Sequence, residues 1–119
     1  MRSIADVRAA CTALPRSCET FPFDATTLVF KVGGKMYALT DITADPVTLS
    51  LKVRPGDGEA LRAAYPAIVP GYHLNKRHWI TATLDGTVPD ALLGDLLAGS
   101  HALVVASLTR AGRAELGLG

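Results

Sequence analysis

The clearest pattern of hydrophobic and polar positions lies between residues 47 and 54. Apolar and polar side chains alternate there, with Val47, Leu49, Leu51 and Val53 on one side and Thr48, Ser50, Lys52 and Arg54 on the other. A period of two residues is typical of a β-strand with one buried and one solvated face. We therefore expect an antiparallel sheet that other elements cover on one side only.

A β-hairpin is predicted before that strand. Two apolar runs, residues 28–32 and 35–39, flank a pair of glycines at positions 33–34. Both central residues of a type I′ turn need a positive φ, which glycine adopts without steric cost. A two-residue loop would place Phe30 opposite Tyr37 in the neighbouring strand.

A further strand is predicted over residues 78–84, where Ile80, Ala82 and Leu84 share one face. If this strand joins the same sheet, the face away from the core carries the other side chains of both strands. These are Thr48, Ser50, Lys52, Trp79, Thr81 and Thr83.

Apolar residues at three- and four-residue steps predict helices at the N-terminus and in the middle of the chain. The first, over residues 3–14, starts with Ser3 as N-cap and Asp6 three places later, and Pro15 ends it. A short helix is expected over residues 59–65.

The C-terminal third also has helical spacing. Thr87 with Asp90 three residues later predicts a capping box at the start of a helix. Residues 99–100, a Gly-Ser pair, predict a kink or short break before a second helix, and a frayed tail is expected over residues 112–119. The order of elements predicts one α+β domain over residues 1–119, an antiparallel sheet with helices packed on one face.

Composition and charge narrow the class of protein. The chain has 119 residues, 49% of them hydrophobic, which suits one folded domain and excludes a disordered chain. We read no membrane span of about 20 apolar residues and no secretory signal, so a cytoplasmic location is expected. The formal net charge is +1, so bulk charge alone does not indicate nucleic acid.

Catalytic and metal-binding motifs are not recognisable at their usual spacings. The glycines at 33–34 precede Lys35 but lack the spacing of a phosphate loop. His73 and His78 are five residues apart without a Cys pair, and Cys11 and Cys18 are not at a metal or redox spacing. We expect no enzyme, no cofactor and no metal, although a nucleophile–base pair formed only by the fold stays open.

The chemically densest segment is residues 70–79, with the sequence PGYHLNKRHW. Arg and Lys can reach phosphates, Asn can read an adenine edge, and Tyr or Trp can stack on a base. From Lys31 to Arg77 the chain holds seven cations and four anions, an excess of three that exceeds the net charge of the whole chain. The segment and the cations near it therefore indicate a recognition surface.

Structural roles are the alternative for the same residues. Trp79 and Tyr72 can close the core, His73 and His78 can be structural histidines, and residues 75–77 can form a solvated turn. Lys52 and Arg54 can be ordinary solvated charges on an exposed strand face.

Several motifs together resemble the MmcQ/YjbR family. They are VGGKMYAL, LSLKV, YPAIVPGYHLNKRHW, LDGTVPDALL and HALVVASL, and their order and spacing match over nearly the whole chain. The resemblance implies a compact α+β domain of the frataxin-like, double-wing type, whose members are commonly labelled DNA-binding. An iron site of the frataxin kind would need clustered carboxylates on one helix, and the first helix carries only Asp6.

The resulting hypothesis is a DNA-binding module that uses the exposed sheet face and the segment of residues 70–79. The residues predicted to take part are Lys35, Lys52, Arg54, Tyr72, His73, Asn75, Lys76, Arg77, His78 and Trp79. The alternative is a protein- or small-ligand-binding module without catalytic activity, in which the same segment lines a pocket or an interface.

Overall fold

Antiparallel pairing joins six strands into one sheet in the computed structural model, which describes residues 1–71 and 74–118. The strands are β1 (Cys18–Thr20), β2 (Thr27–Val32), β3 (Lys35–Asp41), β4 (Thr48–Lys52), β5 (Ile68–Pro70) and β6 (Trp79–Thr83). The helices are α1 (Ile4–Thr12), α2 (Pro55–Ala64), α3 (Asp90–Ser107) and α4 (Arg110–Glu115). The predicted α+β class is confirmed, and the three-residue strands β1 and β5 are additions to the predicted elements.

The strand order across the sheet is β1-β2-β3-β4-β6-β5, and every neighbouring pair is antiparallel. Helix α3 packs against β2, β3 and β4, while α1 packs against α3. The core lies between the sheet and these helices. It includes the large, fully buried side chains Phe30, Tyr37, Leu49, Leu51, Ile80, Leu93 and Leu97.

Helix α1 starts with the predicted capping box. The Ser3 hydroxyl accepts a hydrogen bond from the Asp6 backbone N–H at 3.0 Å, and the Asp6 carboxylate accepts one from the Ser3 backbone N–H at 3.2 Å. These bonds satisfy two of the donors that a helix N-terminus leaves without intrahelical partners. Val7 and Cys11 form the buried side of the helix.

The β2–β3 hairpin turns at Gly33 and Gly34, whose φ angles of 59° and 78° confirm the predicted need for glycine. The predicted pairing of Phe30 with Tyr37 is wrong, because a β-bulge shifts the register and places Phe30 opposite Ala38. A bulge inserts one extra residue into one strand. Here it leaves both Tyr37 and Ala38 fully buried.

Helix α3 runs without interruption through Gly99 and Ser100, so the predicted break at those residues is wrong. The chain leaves the helical conformation at Leu108, whose ψ is 154°, and α4 begins at Arg110 with Thr109 as N-cap. The Gly-Ser pair was misread because a buried serine on a core helix resembles a helix breaker in sequence.

The hydroxyl of Ser100 connects α3 to two strands at once. It donates a hydrogen bond to the carbonyl of Tyr37 in β3 and accepts one from the backbone N–H of Lys52 in β4, at 2.9 Å. Next to it, the His101 ring packs edge-on against Tyr37 with ring centroids 5.2 Å apart, and its Nε2 lies 2.7 Å from the carbonyl of Pro15. Helix α3 is thereby fixed to the sheet and to the α1–β1 loop.

Two other helix starts differ from prediction. Helix α2 begins at Pro55, four residues before the predicted start at Glu59, because proline suits the first turn of a helix. Thr87 does not cap α3, since its hydroxyl donates to Asp85 at 2.6 Å within a turn and Pro89 takes the N-cap position.

The C-terminal segment, within which a frayed tail is predicted at residues 112–119, contains the end of α4 and two side chains packed on the core. Helix α4 covers its first part, and Leu116 and Leu118 pack against the core. Arg16 Nε donates to the carbonyl of Leu116 at 2.8 Å, which ties the tail to the α1–β1 loop.

Helix α3 is, among the described residues, the one helix whose length and composition would allow it to cross a membrane, with a mean hydropathy of 1.2 over 18 residues. One side of it forms part of the core, where Leu93, Leu97 and Val104 are buried. The Cα radius of gyration, 13.6 Å, is close to the roughly 13.5 Å expected for a compact globular chain of this length.

Replacing Ser100 with alanine should lower the free energy of unfolding by about 1–3 kcal/mol, because it leaves a buried carbonyl and a buried N–H without a partner. Ser107→Ala is the control, since Ser107 is exposed and its hydroxyl donates to the Val104 carbonyl of its own helix, so its effect should stay below about 1 kcal/mol. Urea unfolding followed by circular dichroism measures both values. Equal stabilities of the two variants would contradict the bridging role of Ser100.

Candidate functional site

One end of the sheet collects most of the cations that the sequence singled out. Val32 lies opposite Lys35 at the hairpin turn, and Lys52 lies opposite Trp79 where β4 ends and β6 begins. The register between β3 and β4 brings both pairs to the same end of the sheet. We call this the basic end, and it contains Lys31, Lys35, Lys52, Arg54, Lys76 and Arg77.

The opposite end of the sheet is acidic. Thr27 lies opposite Asp41, and Thr48 lies opposite Thr83, at this second end. The turns and loops there carry Asp24, Asp41, Asp45 and Asp85, and we call it the acidic end. The net charge of +1 therefore includes a partial separation of charge along the strands, to which Arg2 beside Asp85 and Asp57 near Arg54 are exceptions.

Residues 75–77 form a solvated turn at the basic end. The Asn75 side-chain oxygen accepts a hydrogen bond from the Arg77 backbone N–H at 2.9 Å, and the Asn75 carbonyl accepts one from the His78 N–H at 3.2 Å. Lys76 and Arg77 are exposed on the turn, and His78 is half-buried. The two predicted site residues Tyr72 and His73 lie outside the described residues.

Trp79 is buried, with 7% of its surface exposed. Its carbonyl accepts a hydrogen bond from the Gly71 N–H at 2.9 Å, and a Cβ added to Gly71 would lie 2.6 Å from the Trp79 Cβ. The structural role that the sequence left open for this tryptophan therefore fits its position. In this conformation its ring cannot stack on a base.

The remaining predicted cations differ in their exposure and in their hydrogen bonds. Lys35 is exposed, and its Nζ lies 3.4 Å from the Ser107 carbonyl at the C-terminal end of α3. Arg54 is exposed as the N-cap residue of α2, without a side-chain cap bond. Lys52 is half-buried beside Trp79.

The sheet face away from the helices carries the residues predicted for it. The registers pair Thr48 with Thr83, Ser50 with Thr81, and Lys52 with Trp79. A continuous row crosses all six strands in the order Thr20, Val29, Leu39, Ser50, Thr81 and Val69. The centre of this face is more covered than expected for a solvated surface, since Ser50 and Thr81 are buried.

A cavity of about 640 Å³ opens on this face, toward the acidic end. We call it the open-face pocket. The strands line it with Thr27, Leu39, Thr40, Asp41, Thr48, Ser50, Val69, Thr81 and Thr83, and loops add Phe23, Asp24 and Leu74. Sequence reasoning missed it as a site, although the alternating hydroxyls of β4 and β6 were a signal for its polar floor.

Two carboxylates of the pocket lining are held in tight turns. Asp24 Oδ1 accepts hydrogen bonds from the backbone N–H groups of Thr26 and Thr27 at 2.9 and 2.7 Å. Asp41 Oδ1 accepts them from the hydroxyl and backbone N–H of Thr43 at 2.6 and 2.8 Å. These bonds favour the charged form and lower the pKa of both carboxyl groups, so both are ionised at neutral pH.

A second cavity, of about 660 Å³, lies between α2 and α3. Its lining combines Lys52 and Arg54 with Asp57 and Asp95, so its charges balance. Ser100 also borders it, with the hydroxyl bonded to β3 and β4. This cavity gives no indication of the charge of a ligand.

Two groups that could perform chemistry, the Cys11 thiol and the His101 ring, have structural roles. Burial raises the pKa of the Cys11 thiol to about 12, which makes it a poor nucleophile. His101 is fixed between Tyr37 and the Pro15 carbonyl. Within residues 1–71 and 74–118, no three His, Cys, Asp or Glu side chains are grouped to hold a metal ion.

Comparison with known proteins places this chain among uncharacterized relatives. Residues 12–103 match the family model described as YjbR. The chain is 38% identical over 90 residues to the uncharacterized protein YbdF of Escherichia coli, covering 76% of this chain and 74% of that protein. It is 30% identical over 99 residues to the uncharacterized protein YjbR of the same species, covering 83% and 84%. Neither description names an activity.

Two solved structures have the same fold. A crystal structure of a Deinococcus radiodurans protein with a DUF419 domain matches with a TM-score of 0.94 and 61% identity, covering 100% of this chain and 91% of that chain. A Pseudomonas syringae protein matches with a TM-score of 0.72 and 28% identity, covering 87% and 98%. The arrangement of sheet and helices is therefore shared with proteins from these two bacterial species.

Gly71→Ala should destabilise the protein by about 1–3 kcal/mol, because the added methyl group would overlap the Trp79 Cβ and backbone. Gly99→Ala is the control, since a Cβ at Gly99 meets nothing within 4 Å on the exposed side of α3. That change should stabilise the helix by about 0.5–1 kcal/mol. Urea unfolding measures both variants, and a neutral Gly71→Ala would show that the contact is not tight.

The acid sensitivity of the fold should depend on Asp24 and Asp41. Their pKa values are lowered in the folded state, so their contribution to stability is present above the unfolded value near 3.9 and is lost as pH falls through the folded values. Thermal unfolding from neutral to strongly acidic pH should therefore show a shallower acid decline for Asp24→Asn/Asp41→Asn than for the unchanged protein. Identical pH profiles would contradict the expectation.

Proposed function

This chain belongs to the YjbR family, as its motifs predicted, and from that premise we propose that it is a cytoplasmic, non-catalytic DNA-binding module that contacts phosphates through the basic end. One observation carries the proposal, namely that the fold gathers six cations at one end of the sheet, where Lys35, Arg54, Lys76 and Arg77 are exposed. Asp57 and Asp95 lie beside Lys52 and Arg54, so the excess of positive charge is greatest at the hairpin and at the turn of residues 75–77. A local field of this kind attracts a polyanion although the whole molecule is nearly neutral.

Lys76 and Arg77 are the leading phosphate contacts. Both are exposed on a turn whose geometry the Asn75 side chain holds, so the backbone that presents them is already ordered. Lys35 and Arg54 extend the same surface to the hairpin and to the start of α2. Preorganised cations lose less conformational entropy on binding than cations on a mobile chain.

The proposed contacts go to the DNA backbone and not to the bases. Trp79 is buried, and the Asn75 oxygen already accepts a backbone hydrogen bond. Phosphate contacts fix position and carry no sequence information. The expected binding is therefore insensitive to sequence and strongly dependent on salt.

A second candidate function, the binding of a small ligand, is favoured by the open-face pocket. Its volume of about 640 Å³ lies within the roughly 300–1,000 Å³ of ordinary ligand sites. It lies toward the acidic end, so its use would not compete for the cations of the basic end.

Fluorescence anisotropy with labelled duplex and single-stranded DNA tests the DNA proposal. We expect affinity to fall steeply between about 50 and about 200 mM salt. Lys76→Ala/Arg77→Ala should weaken binding to all sequences alike and reduce the salt slope by about 2, one unit for each lost phosphate contact.

The matched control is Arg2→Ala/Arg8→Ala, which removes the same formal charge, Arg2 beside Gly86 at the acidic end and Arg8 on α1. Arg8 bonds Glu19 in an exposed ion pair at 2.8 Å, so its loss should change stability by no more than about 1 kcal/mol. An equal loss of DNA affinity in both double variants would show that affinity depends on net charge and not on the position of the cations, which would contradict the proposal. Binding no stronger than that of an equally charged unrelated protein would overturn the proposal.

A further inference from the structure

We propose that the open-face pocket binds a small organic cation, with a protonated amine at Asp24 and Asp41 and an apolar body against the walls of the cavity. The proposal is independent of DNA binding, because it uses the opposite end of the sheet. It rests on the size of the cavity, the charge of its lining and the exposed apolar side chains at its edge.

The carboxylates of Asp24 and Asp41 are brought to the same end of neighbouring strands through Thr27. Asp24 bonds the backbone N–H of Thr27 at 2.7 Å, and Thr27 lies directly opposite Asp41. The lining contains no Lys or Arg within the described ranges 1–71 and 74–118. The described residues also include no ion pair that involves either carboxylate. A cation would therefore enter a site of uncompensated negative charge.

The apolar part of the lining explains why the ligand should be organic and not a bare metal ion. Phe23 is 66% exposed and Val69 is 46% exposed, although both are large hydrophobic residues that border the cavity. Leu39, on β3, lines the same cavity. An apolar body that covers these side chains would remove hydrophobic area from water.

The hydroxyl-bearing floor adds polar contacts at fixed positions. The Ser50 and Thr81 hydroxyls lie 2.8 Å apart and are hydrogen-bonded to each other. A hydroxyl can donate one hydrogen bond and accept two, so the Ser50 hydroxyl can still accept a bond from a ligand N–H. The floor therefore suits a ligand that carries hydrogen-bond donors, as a protonated amine does.

Three probes of nearly equal shape and different charge test the proposal. Phenethylamine is cationic at neutral pH, phenethyl alcohol is neutral, and hydrocinnamate is anionic. Titrations followed by ¹H–¹⁵N NMR should show saturable shifts at the amides of Leu39, Ser50 and Thr81 with the amine. Its affinity should exceed that of the alcohol by about 2- to 30-fold, as expected for two exposed charge contacts.

Asp24→Asn/Asp41→Asn should remove that preference, because asparagine keeps the turn hydrogen bonds and loses the charge. The matched control Asp45→Asn/Asp85→Asn changes the net charge equally at the same end of the sheet but outside the pocket lining. It should retain most of the preference for the amine. Thr48→Leu, which fills part of the cavity, should weaken the binding of the amine and the alcohol alike.

The titrations with the three probes distinguish support for the proposal from contradiction of it. A preference for the amine that disappears in Asp24→Asn/Asp41→Asn and survives in the control supports the proposal. Equal affinity for all three probes, a preference for hydrocinnamate, shifts located elsewhere or the absence of saturable binding would each overturn it. The DNA affinity of Asp24→Asn/Asp41→Asn should change by less than about twofold, because the pocket is remote from the basic end. Amine binding and DNA binding are therefore tested separately, and failure of one does not contradict the other.

Discussion

The bonded hydroxyl of Ser100 is the contact on which the arrangement of helix and sheet depends. The bulge in β3 turns Tyr37 toward the helices, and the described β3–β4 pairing consists of Ala38 with Leu51 and Leu39 with Ser50. The Tyr37 carbonyl and the Lys52 N–H would then lack partners in a buried setting, which is costly. Ser100 satisfies both, and its neighbour His101 reaches past Tyr37 to the Pro15 carbonyl. One turn of α3 thus fixes the helix against the central strands and the α1–β1 loop.

With the helices fixed to one face, the other face of the sheet is left for binding. Its strands run antiparallel, so their turns alternate between two ends, and residues scattered along the chain meet at each end. Lys35, Lys52 and Lys76 gather in this way at the basic end, while Asp24 and Asp41 meet at the acidic end. The two proposed activities follow from this separation of charge, and they use different groups on one scaffold.

The segment of residues 70–79 combines structural and exposed positions. Gly71 and Trp79 close the β5–β6 connection through a contact that leaves no room for a side chain at Gly71. Lys76 and Arg77 extend from that closed base into solvent. The many aromatic and charged residues of this segment therefore serve two purposes. Some form a tight junction between strands, and others form an exposed cationic turn.

The sequence by itself determined the local elements whose signals depend on near neighbours. The capping box at Ser3, the glycine turn at 33–34 and the alternation around Leu49 and Leu51 were predicted because their causes lie within a few residues. The bulge beside Tyr37, the uninterrupted α3 at Ser100, the burial of Trp79 and the open-face pocket were decided by the tertiary structure. Each of these depends on a partner distant in the chain, such as Ser100 for Tyr37 and Asp24 for Asp41. A linear pattern carries no information about which distant groups will share a hydrogen bond, a cavity or a local field, because only packing brings them together.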